Sequence, residues 1–432
     1  MHRLCACFLF VTLAFLFSDN SSEILKNVRE TVAARIKRSA NYTCVQTIDR
    51  SYFVSAKDLL PGCAFESQTP IRKEIMHDRL RLDVAVSKGQ EIYSWHGENQ
   101  FSTSAIDSVV RTGPISSGGF VGYLQNIFLN AGVQFTYTGE SLNNQESVYG
   151  FTYTVPLPVS HYHVQAKQGS LAVPFHGSFS AFTKNFELAS LEVIADKIPD
   201  ASDLCSIDTE MNYQVAHISG TDALIPALFS LRIDNSSHVY TVSRNEYSQC
   251  REFRGESTLR FDDADSAKQS APVSAAPTEW LPAGLMLHIA LRTPIDEKTA
   301  YTGDPVEGVL LESVKVSGDK TTIPKGASLK GLITRLEDRY EPERHYYIKI
   351  EFDRLSFGNA AFLLHAVHRP SGKEAEKLYF LYGEPLPLSI TDQLRNGTII
   401  FDSRHLRLDR RFSGLWETLP PAAEAVAATS GR

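Results

Sequence analysis

Apolar positions recur along this chain with two different periods. Residues 79–86 (RLRLDVAV) alternate strictly, with Leu80, Leu82, Val84 and Val86 on one face and Arg81 and Asp83 on the other. A period of two marks a half-buried strand. The Ser87-Lys88-Gly89 turn follows and Gln90–His96 resumes the pattern, so these segments predict a hairpin. Similar patterns predict strands around Tyr42, Cys44 and Gln46, and over Val148–Val155, Tyr162–Ala166, Phe175–Lys184, Phe186–Ile194, Tyr213–Ile218 and Val239–Val242. The helical period occurs in two main places. Leu25, Val28, Val32 and Ile36 make one apolar stripe, with Lys26, Arg29, Glu30, Arg35 and Lys37 largely off it. Phe120, Leu124, Ile127 and Phe128 make another, with Ser116 or Ser117 as the cap and Gly132 as the stop. Gly118, Gly119 and Gly122 near its start point to close backbone packing or a mobile entrance. Residues 222–232 (DALIPALFSLR) read as a short helix interrupted by Pro226.

Beyond residue 280 the period is two almost throughout. Strands are expected at Leu285–Leu291, Val306–Val316, Ser328–Leu336, Tyr346–Phe352, Ala361–Val367 and Leu378–Tyr382. Turn signals separate them, among them Thr302-Gly303-Asp304-Pro305, Pro324-Lys325-Gly326 and Phe357-Gly358-Asn359. Six strands with short turns predict a small antiparallel β-barrel or sandwich. Residues 262–279 (DDADSAKQSAPVSAAPTE) have almost no large apolar side chain, so burial there cannot offset the entropy of ordering. They read as a linker, which places one domain at 21–261 and a second at 281–419. The tail 420–432 has the same composition and reads as disordered.

The N-terminus changes the picture. Met1-His2-Arg3 precedes the apolar run Leu4–Phe17, and Ser18 opens a small-residue region, the order of a secretory signal peptide over residues 1–18. The run is short for a bilayer-spanning helix, and no later segment predicts a transmembrane span. Cys5 and Cys7 leave with the leader. Cys44, Cys63, Cys205 and Cys250 remain, and four cysteines allow three pairings. The two sequence-local pairs, Cys44–Cys63 and Cys205–Cys250, are the expected disulfides in an oxidising compartment. Net charge is −7 without a lysine/arginine block, which lacks the footprint of a nucleic-acid binder.

The second domain carries a family resemblance. Leu281-Pro282-Ala283-Gly284, Leu291-Arg292-Thr293-Pro294-Ile295-Asp296, Thr302-Gly303-Asp304-Pro305-Val306 and Ile323-Pro324-Lys325-Gly326-Ala327, ending in Lys330-Gly331, resemble the periplasmic β-barrel domain of TrbI/VirB-type components of type IV secretion channels. The likeness covers residues 281–337, and its motifs imply fold more than activity. The family's inner-membrane helix and long proline-rich region do not occur in this sequence. The first domain is similar in element order to LolA-type lipoprotein carriers: an amphipathic helix, a strand, then a long antiparallel meander interrupted by a helix. That resemblance implies a curved antiparallel sheet with packed helices around an apolar cavity. The expected fold is therefore mainly β with a few helices (α+β), in two domains.

Candidate chemistry is sparse. His161-Tyr162-His163 puts two imidazoles on one face of a strand, two ligands short of a closed metal site. Ser317-Gly318-Asp319-Lys320 has the Ser-x-x-Lys string of serine acyl enzymes, but in a hairpin turn instead of at a helix start. Asp262, Asp263 and Asp265 lack the glycine and distal glutamate of a calcium loop. No nucleophile-elbow, zinc-protease, phosphate-loop or dinucleotide fingerprint occurs, so no catalytic residue and no cofactor is assigned. The expectation is an exported envelope binding protein holding a lipid or acylated polypeptide. Phe120, Leu124, Ile127, Phe128, Phe151 and Tyr153 are the candidate cavity or lid residues. The alternative is an envelope scaffold docking other proteins through its second domain, and an enzyme of unknown class is the third reading.

Overall fold

The structure, a computed structural model, describes residues 8–38, 41–55, 62–63, 72–87, 90–98, 101, 106–166, 169–218, 220–252, 279–316, 322–341, 343–372, 374, 376 and 388–421. Strands hold 58% of the described residues and helices 14%, so the chain is mainly β. It divides into two compact units whose membership is not contiguous. Ile75–Arg81 and Trp95–Gly97 belong to the second unit, although the surrounding chain belongs to the first. Among the described residues no helix is long and apolar enough to cross a membrane.

The chain opens with α1 (Phe8–Arg38), β1 (Tyr42–Ser55), β2 (Arg72–Ser87) and β3 (Gln90–Trp95), of which β2 and β3 are shared between the two units. A single turn α2 (Ile106–Val109) precedes α3 (Gly122–Leu124), which runs on as a π-helix over Gln125–Leu129. Then come β4 (Gln134–Asn143), β5 (Glu146–Val155), β6 (His163–Ala166), β7 (Gly169–Ala172), β8 (Phe175–Phe182), β9 (Leu188–Ala195), β10 (Leu204–Ile218), β11 (Thr221–Asn235) and β12 (Val239–Glu252). Antiparallel pairing runs β4-β5-β8-β9-β10-β11-β12-β1, and β1 pairs in turn with β2 and β2 with β3. The one long-range join is β1 to β12, in register from Tyr42↔Glu252 to Val54↔Val239. β6 and β7 form a separate hairpin.

The sheet is one-sided where it carries most aromatics. On β8 the buried side chains are Phe175, Gly177, Phe179 and Ala181, while His176, Ser178, Ser180 and Phe182 are half-exposed. The half-exposed face is polar and internally bonded. Ser178 donates to Glu192, the Ser180 and Ser190 hydroxyls meet at 2.6 Å, and His176 faces Asp196. Ile24, Val28 and Val32 of α1 lie in the core on the buried face, joined at its edge by Leu25 and Ile36. The helical stripe read from the sequence is thus the packed one, extended at its start by Ile24.

In the second unit, β13 (Met286–Leu291), β14 (Ile295–Asp296), β15 (Pro305–Leu310), β16 (Val314–Lys315), β17 (Thr322–Ile323), β18 (Ser328–Arg339), β19 (His345–Phe357) and β20 (Ala360–Arg369) come first. α4 (Leu388–Arg395), β21 (Thr398–Phe401), β22 (Arg407–Leu408) and β23 (Ser413–Thr418) complete it. Six strands close an antiparallel barrel in the order β13-β15-β18-β19-β20-β23 and back to β13. Leu287, Ile289, Val306, Leu310, Leu329, Ile350, Phe352, Ala366 and Trp416 fill its core. Each large apolar side chain buried this way contributes roughly 1.5–3 kcal/mol. Trp416 Nε1 donates to the Ile350 carbonyl at 3.3 Å, so the indole is buried without an orphaned donor.

The turn motifs have physical reasons. Gly303 has φ +98°, and a Cβ there would strike the Arg81 carbonyl and the Trp95 ring. Asp304 accepts from the Tyr301 N–H at 3.0 Å and pairs with Arg81 at 2.7 Å, and Val306 then enters the barrel core.

Three expectations are corrected. Residues 222–232 belong to strand β11, not a helix. Phe229, Leu231 and Ile233 alternate into the core, and Pro226 sits at a bulge where the β10 register shifts between Asn212 and Tyr213. A bulge accommodates the missing N–H of proline. Phe186 does not open a strand. It holds φ +59° in a turn, with its ring stacked on Tyr149 at 5.9 Å, and β9 begins at Leu188. The disulfides are Cys44–Cys250 and Cys63–Cys205, not the sequence-local pairs. Pairing of β1 with β12 sets Thr43 opposite Arg251 and so brings Cys44 to Cys250. Cys63 is carried to Cys205 because the Gly62 N–H bonds to the Ser236 carbonyl, and the Ser236 N–H bonds to Asp203. The segment Leu378–Tyr382, the Ser317–Lys320 string, linker residues 262–278 and the tail beyond residue 421 lie outside the described residues, as do residues 1–7.

Two predictions follow from these cores. Both cross-links lie in the first unit, and the Cys44–Cys250 bond closes a span of 206 residues. The Cys44→Ser/Cys250→Ser double variant should lose about 4 kcal/mol of first-unit stability, from the added freedom of the unfolded chain. Tryptophan fluorescence should be unaffected, because Trp95, Trp280 and Trp416 all belong to the second unit; a shifted tryptophan transition would contradict this.

The second prediction concerns His368, which is 1% exposed on β20 opposite Trp416 of β23, with ring centroids 5.2 Å apart. Burial pulls its pKa down to about 4, against an opposing pull from Glu374. The unfolded chain therefore takes up the proton first, and stability is lost as pH falls from about 6.5 toward 4. Urea unfolding followed by tryptophan fluorescence should show about 2 kcal/mol less second-unit stability at pH 5 than at pH 7.5. His368→Asn should remove most of that difference, and an unchanged pH dependence in the variant would refute the assignment.

Candidate functional site

The candidate site lies where the α3–π helix covers the aromatic face of the first unit's sheet. Leu124, Ile127 and Phe128 lie in one core cluster with Phe151 and Tyr153 of β5, Phe175 and Phe179 of β8, Leu191 and Val193 of β9, and Met211 and Tyr213 of β10. Cross-strand register builds the face: Phe151 sits opposite Phe179, and Val155 opposite Phe175. The Phe151 and Phe179 rings stack at 5.0 Å, and Phe128 meets Phe179 edge-on at 4.9 Å. Five of the six residues singled out from the sequence are thus brought together. Phe120 is set apart, its ring 6.0 Å from Tyr42 and 4.7 Å from Tyr247.

A helix on an apolar face still has unsatisfied backbone groups at both ends. Here side chains from distant elements supply the partners. At the N-terminal end, the Glu91 carboxylate of β3 accepts from the backbone N–H groups of Gly118, Phe120 and Val121 at 2.8, 3.0 and 3.0 Å. The Tyr93 hydroxyl donates to the same carboxylate at 2.6 Å. At the C-terminal end, Arg29 of α1 donates to the carbonyls of Phe128 at 2.8 Å and Asn130 at 3.3 Å. An anion at the start and a cation at the end also match the helix dipole. The Asn130 side chain then bridges to the Val159 carbonyl and the Gly132 N–H, which ends the element.

The approach segment 112–121 is gripped along its length. Buried Arg50 of β1 donates to the carbonyls of Thr112 and Pro114 at 2.8 and 3.2 Å. The Tyr213 hydroxyl donates to the Gly119 carbonyl at 2.8 Å. Gly119 packs closely there, since a Cβ would lie 3.0 Å from the Phe229 ring, tighter than an ordinary contact. Burial, and after it the charge of Glu91, raises the pKa values of Tyr93 and Tyr213 well above the ordinary phenol value. The same two causes, in the same order, raise Tyr247. These tyrosines stay neutral donors at any physiological pH.

The histidine pair is not built as a site. His161 and His163 are exposed, and His163 Nδ1 lies 2.9 Å from the His161 carbonyl oxygen. One group of carboxylates converges among the described residues: Glu192, Asp208 and Glu210, on the strands β9 and β10. Arg232 bonds both Asp208 and Glu210, at 3.0 and 2.9 Å. Glu91, Arg29 and Arg50 were not singled out from the sequence. The only signal pointing toward them was the glycine cluster at 118, 119 and 122, which announces close backbone approach without naming what approaches.

No family model matches the chain, and no curated protein matches it. Among solved structures, a LolA superfamily protein from Nitrosomonas europaea is similar over 54% of this chain and 93% of its own, at 11% identity and a TM-score of 0.27. ComB10 of the Com type IV secretion system of Helicobacter pylori is similar over 33% of this chain and 91% of its own, at 13% identity and a TM-score of 0.19. A DUF1329 family protein from Desulfovibrio piger is similar over 54% and 94%, at 9% identity and a TM-score of 0.23. At this level of similarity function is read from the geometry.

Glu91→Gln keeps the shape of the side chain and removes its charge, leaving a weaker acceptor for three N–H groups. The amides of Gly118, Phe120 and Val121 should exchange with deuterium about 10- to 100-fold faster in this variant, as expected from weakening charge-assisted hydrogen bonds. Amides of β8 and β9 should keep their rates. Uniform acceleration across the sheet would mean that Glu91 supports the whole unit, not the helix.

Proposed function

We propose that the chain is an exported binding protein of the cell envelope, whose first unit holds an apolar ligand such as a lipid or acylated polypeptide. In this reading the α3–π helix is the lid, and Phe128, Phe151, Tyr153 and Phe179 line the surface the ligand occupies. The observation that carries it is the mode of attachment of that helix. Its apolar face lies on aromatic rings, while its ends and approach are held by polar contacts from Glu91, Arg29, Arg50 and Tyr213. Such contacts are individually worth only about 1–3 kcal/mol. Exchange of the helix for an acyl chain keeps the aromatic face dry, so the apolar burial is substituted and not lost. A π-helical turn in the same segment adds to the case, since such turns concentrate at functional sites. The two disulfides suit an oxidising compartment.

The alternative, a scaffold docking partners through strand edges of the second unit, is less well supported. Closure pairs each of the six barrel strands on both sides, which removes the open edges that strand addition needs.

Native mass spectrometry of the full chain, purified from envelope fractions without detergent, should show a bound species of lipid mass. The delipidated protein should take up a fluorescent acyl probe with saturable binding. A protein that emerges free of bound molecules and shows no saturable uptake would overturn the proposal.

A further inference from the structure

We infer that the ligand carries a cationic amine, and that Glu91 is the group that receives it; this rests on the apolar-ligand reading above. Among the described residues, the partners of Glu91 are all neutral donors: three backbone N–H groups and the Tyr93 phenol. Lifting the segment 118–121 removes three of these four donors together. Glu91 is half-buried beside the buried Tyr93, Phe120 and Val121, and a carboxylate that loses its donors there is costly unless another donor, best a cation, takes their place. The surroundings select which. The segment is flanked by Tyr213, bonded to the Gly119 carbonyl, and by Tyr42 and Tyr247, on either side of the Phe120 ring. Phenol rings around an anion attract an ammonium through their faces and repel a second anion.

A second observation points the same way. Gln46 is 1% exposed, and its Nε2 donates to Asn245 Oδ1 at 3.0 Å and reaches the Tyr247 hydroxyl at 3.4 Å. Its Oε1 is buried and has no hydrogen-bond partner. The tyrosine that Gln46 touches is the one against Phe120. A chain of contacts through Tyr247 and Phe120 thus links an acceptor without a donor to a carboxylate whose donors are mostly backbone N–H groups of 118–121. An ammonium group brings up to three N–H donors and a positive charge, which replaces what Glu91 loses. A carboxylate, sulfate or phosphate brings only acceptors and does not. The backbone of 118–121 then acts as an internal stand-in for the amine.

The test uses three ten-carbon amphiphiles that differ only in the head group: decylamine, decanol and decanoate. Each is titrated into the full chain by calorimetry below its aggregation concentration at pH 7.5. Decylamine should bind about 10-fold or more tighter than decanol, the size expected for a charge-assisted hydrogen bond, and decanoate weakest. In Glu91→Gln the amine-to-alcohol ratio should fall to within about 2-fold. The ratio within one protein cancels any change in how easily the segment lifts. A second readout needs no variant: saturating decylamine should speed deuterium exchange at Gly118, Phe120 and Val121 more than saturating decanol, which leaves Glu91 without a cation in their place. Equal binding of all three amphiphiles to the wild type, or a ratio that survives Glu91→Gln, overturns the amine assignment while sparing the apolar-ligand reading. Failure of all three to bind overturns both.

Discussion

A helix laid on an apolar sheet face has polar ends that the face cannot satisfy, and the first unit is organised around that constraint. Glu91 supplies acceptors at one end, and Arg29 supplies donors at the other. Neither residue is near the helix in sequence. Their positions follow from β3 and α1 flanking the same segment. This division of labour separates two kinds of energy. Burial of aromatic area is large and indifferent to direction, whereas the polar contacts are small and fix one orientation. In the proposed reading the first is kept when a ligand replaces the helix, and the second is reversible.

Much of the architecture was legible in the sequence, because side-chain period reports directly on one-sided burial. The stripe Val28–Val32–Ile36, the alternation of residues 79–86 and the pairings among Phe151, Tyr153, Phe175 and Phe179 all correspond to packed positions. What failed was long-range. Cys44 and Cys63 are close in sequence, but only the closure of β1 onto β12 decides that Cys44 meets Cys250. Residues 222–232 mimic a helical pattern because Leu224, Ile225, Phe229 and Leu231 are all buried in a strand bent by a bulge at Pro226. Glu91 carried no signal at all, since a lone glutamate in a polar-apolar alternation reads as a solvated face.

The second unit shows the opposite balance. Five of its six barrel strands and several turns were read from local residues, whereas β23 was not; that strand makes the two joins most distant in sequence, to β13 and to β20. Turn residues such as Gly303 and Asp304 have steric and hydrogen-bonding roles that a short motif captures. Ring closure then follows from packing, with Trp416 and Phe352 filling the barrel interior at a centroid distance of 5.4 Å. The buried His368 beside Trp416 is the exception, a titratable group inside an apolar seam.

The connectivity of the two disulfides has a consequence for maturation. One bond lies nested inside the span of the other, so the first two cysteines along the chain, Cys44 and Cys63, are not partners. A polypeptide that emerges into an oxidising medium from its N-terminus exposes Cys44 and Cys63 before either native partner. Oxidation in order of arrival links these two, and the native bonds are then reached only by thiol–disulfide exchange. Under such vectorial oxidation the yield of native protein is tied to the isomerase capacity at hand, and overproduction where that capacity is low favours a kinetically trapped, mispaired form.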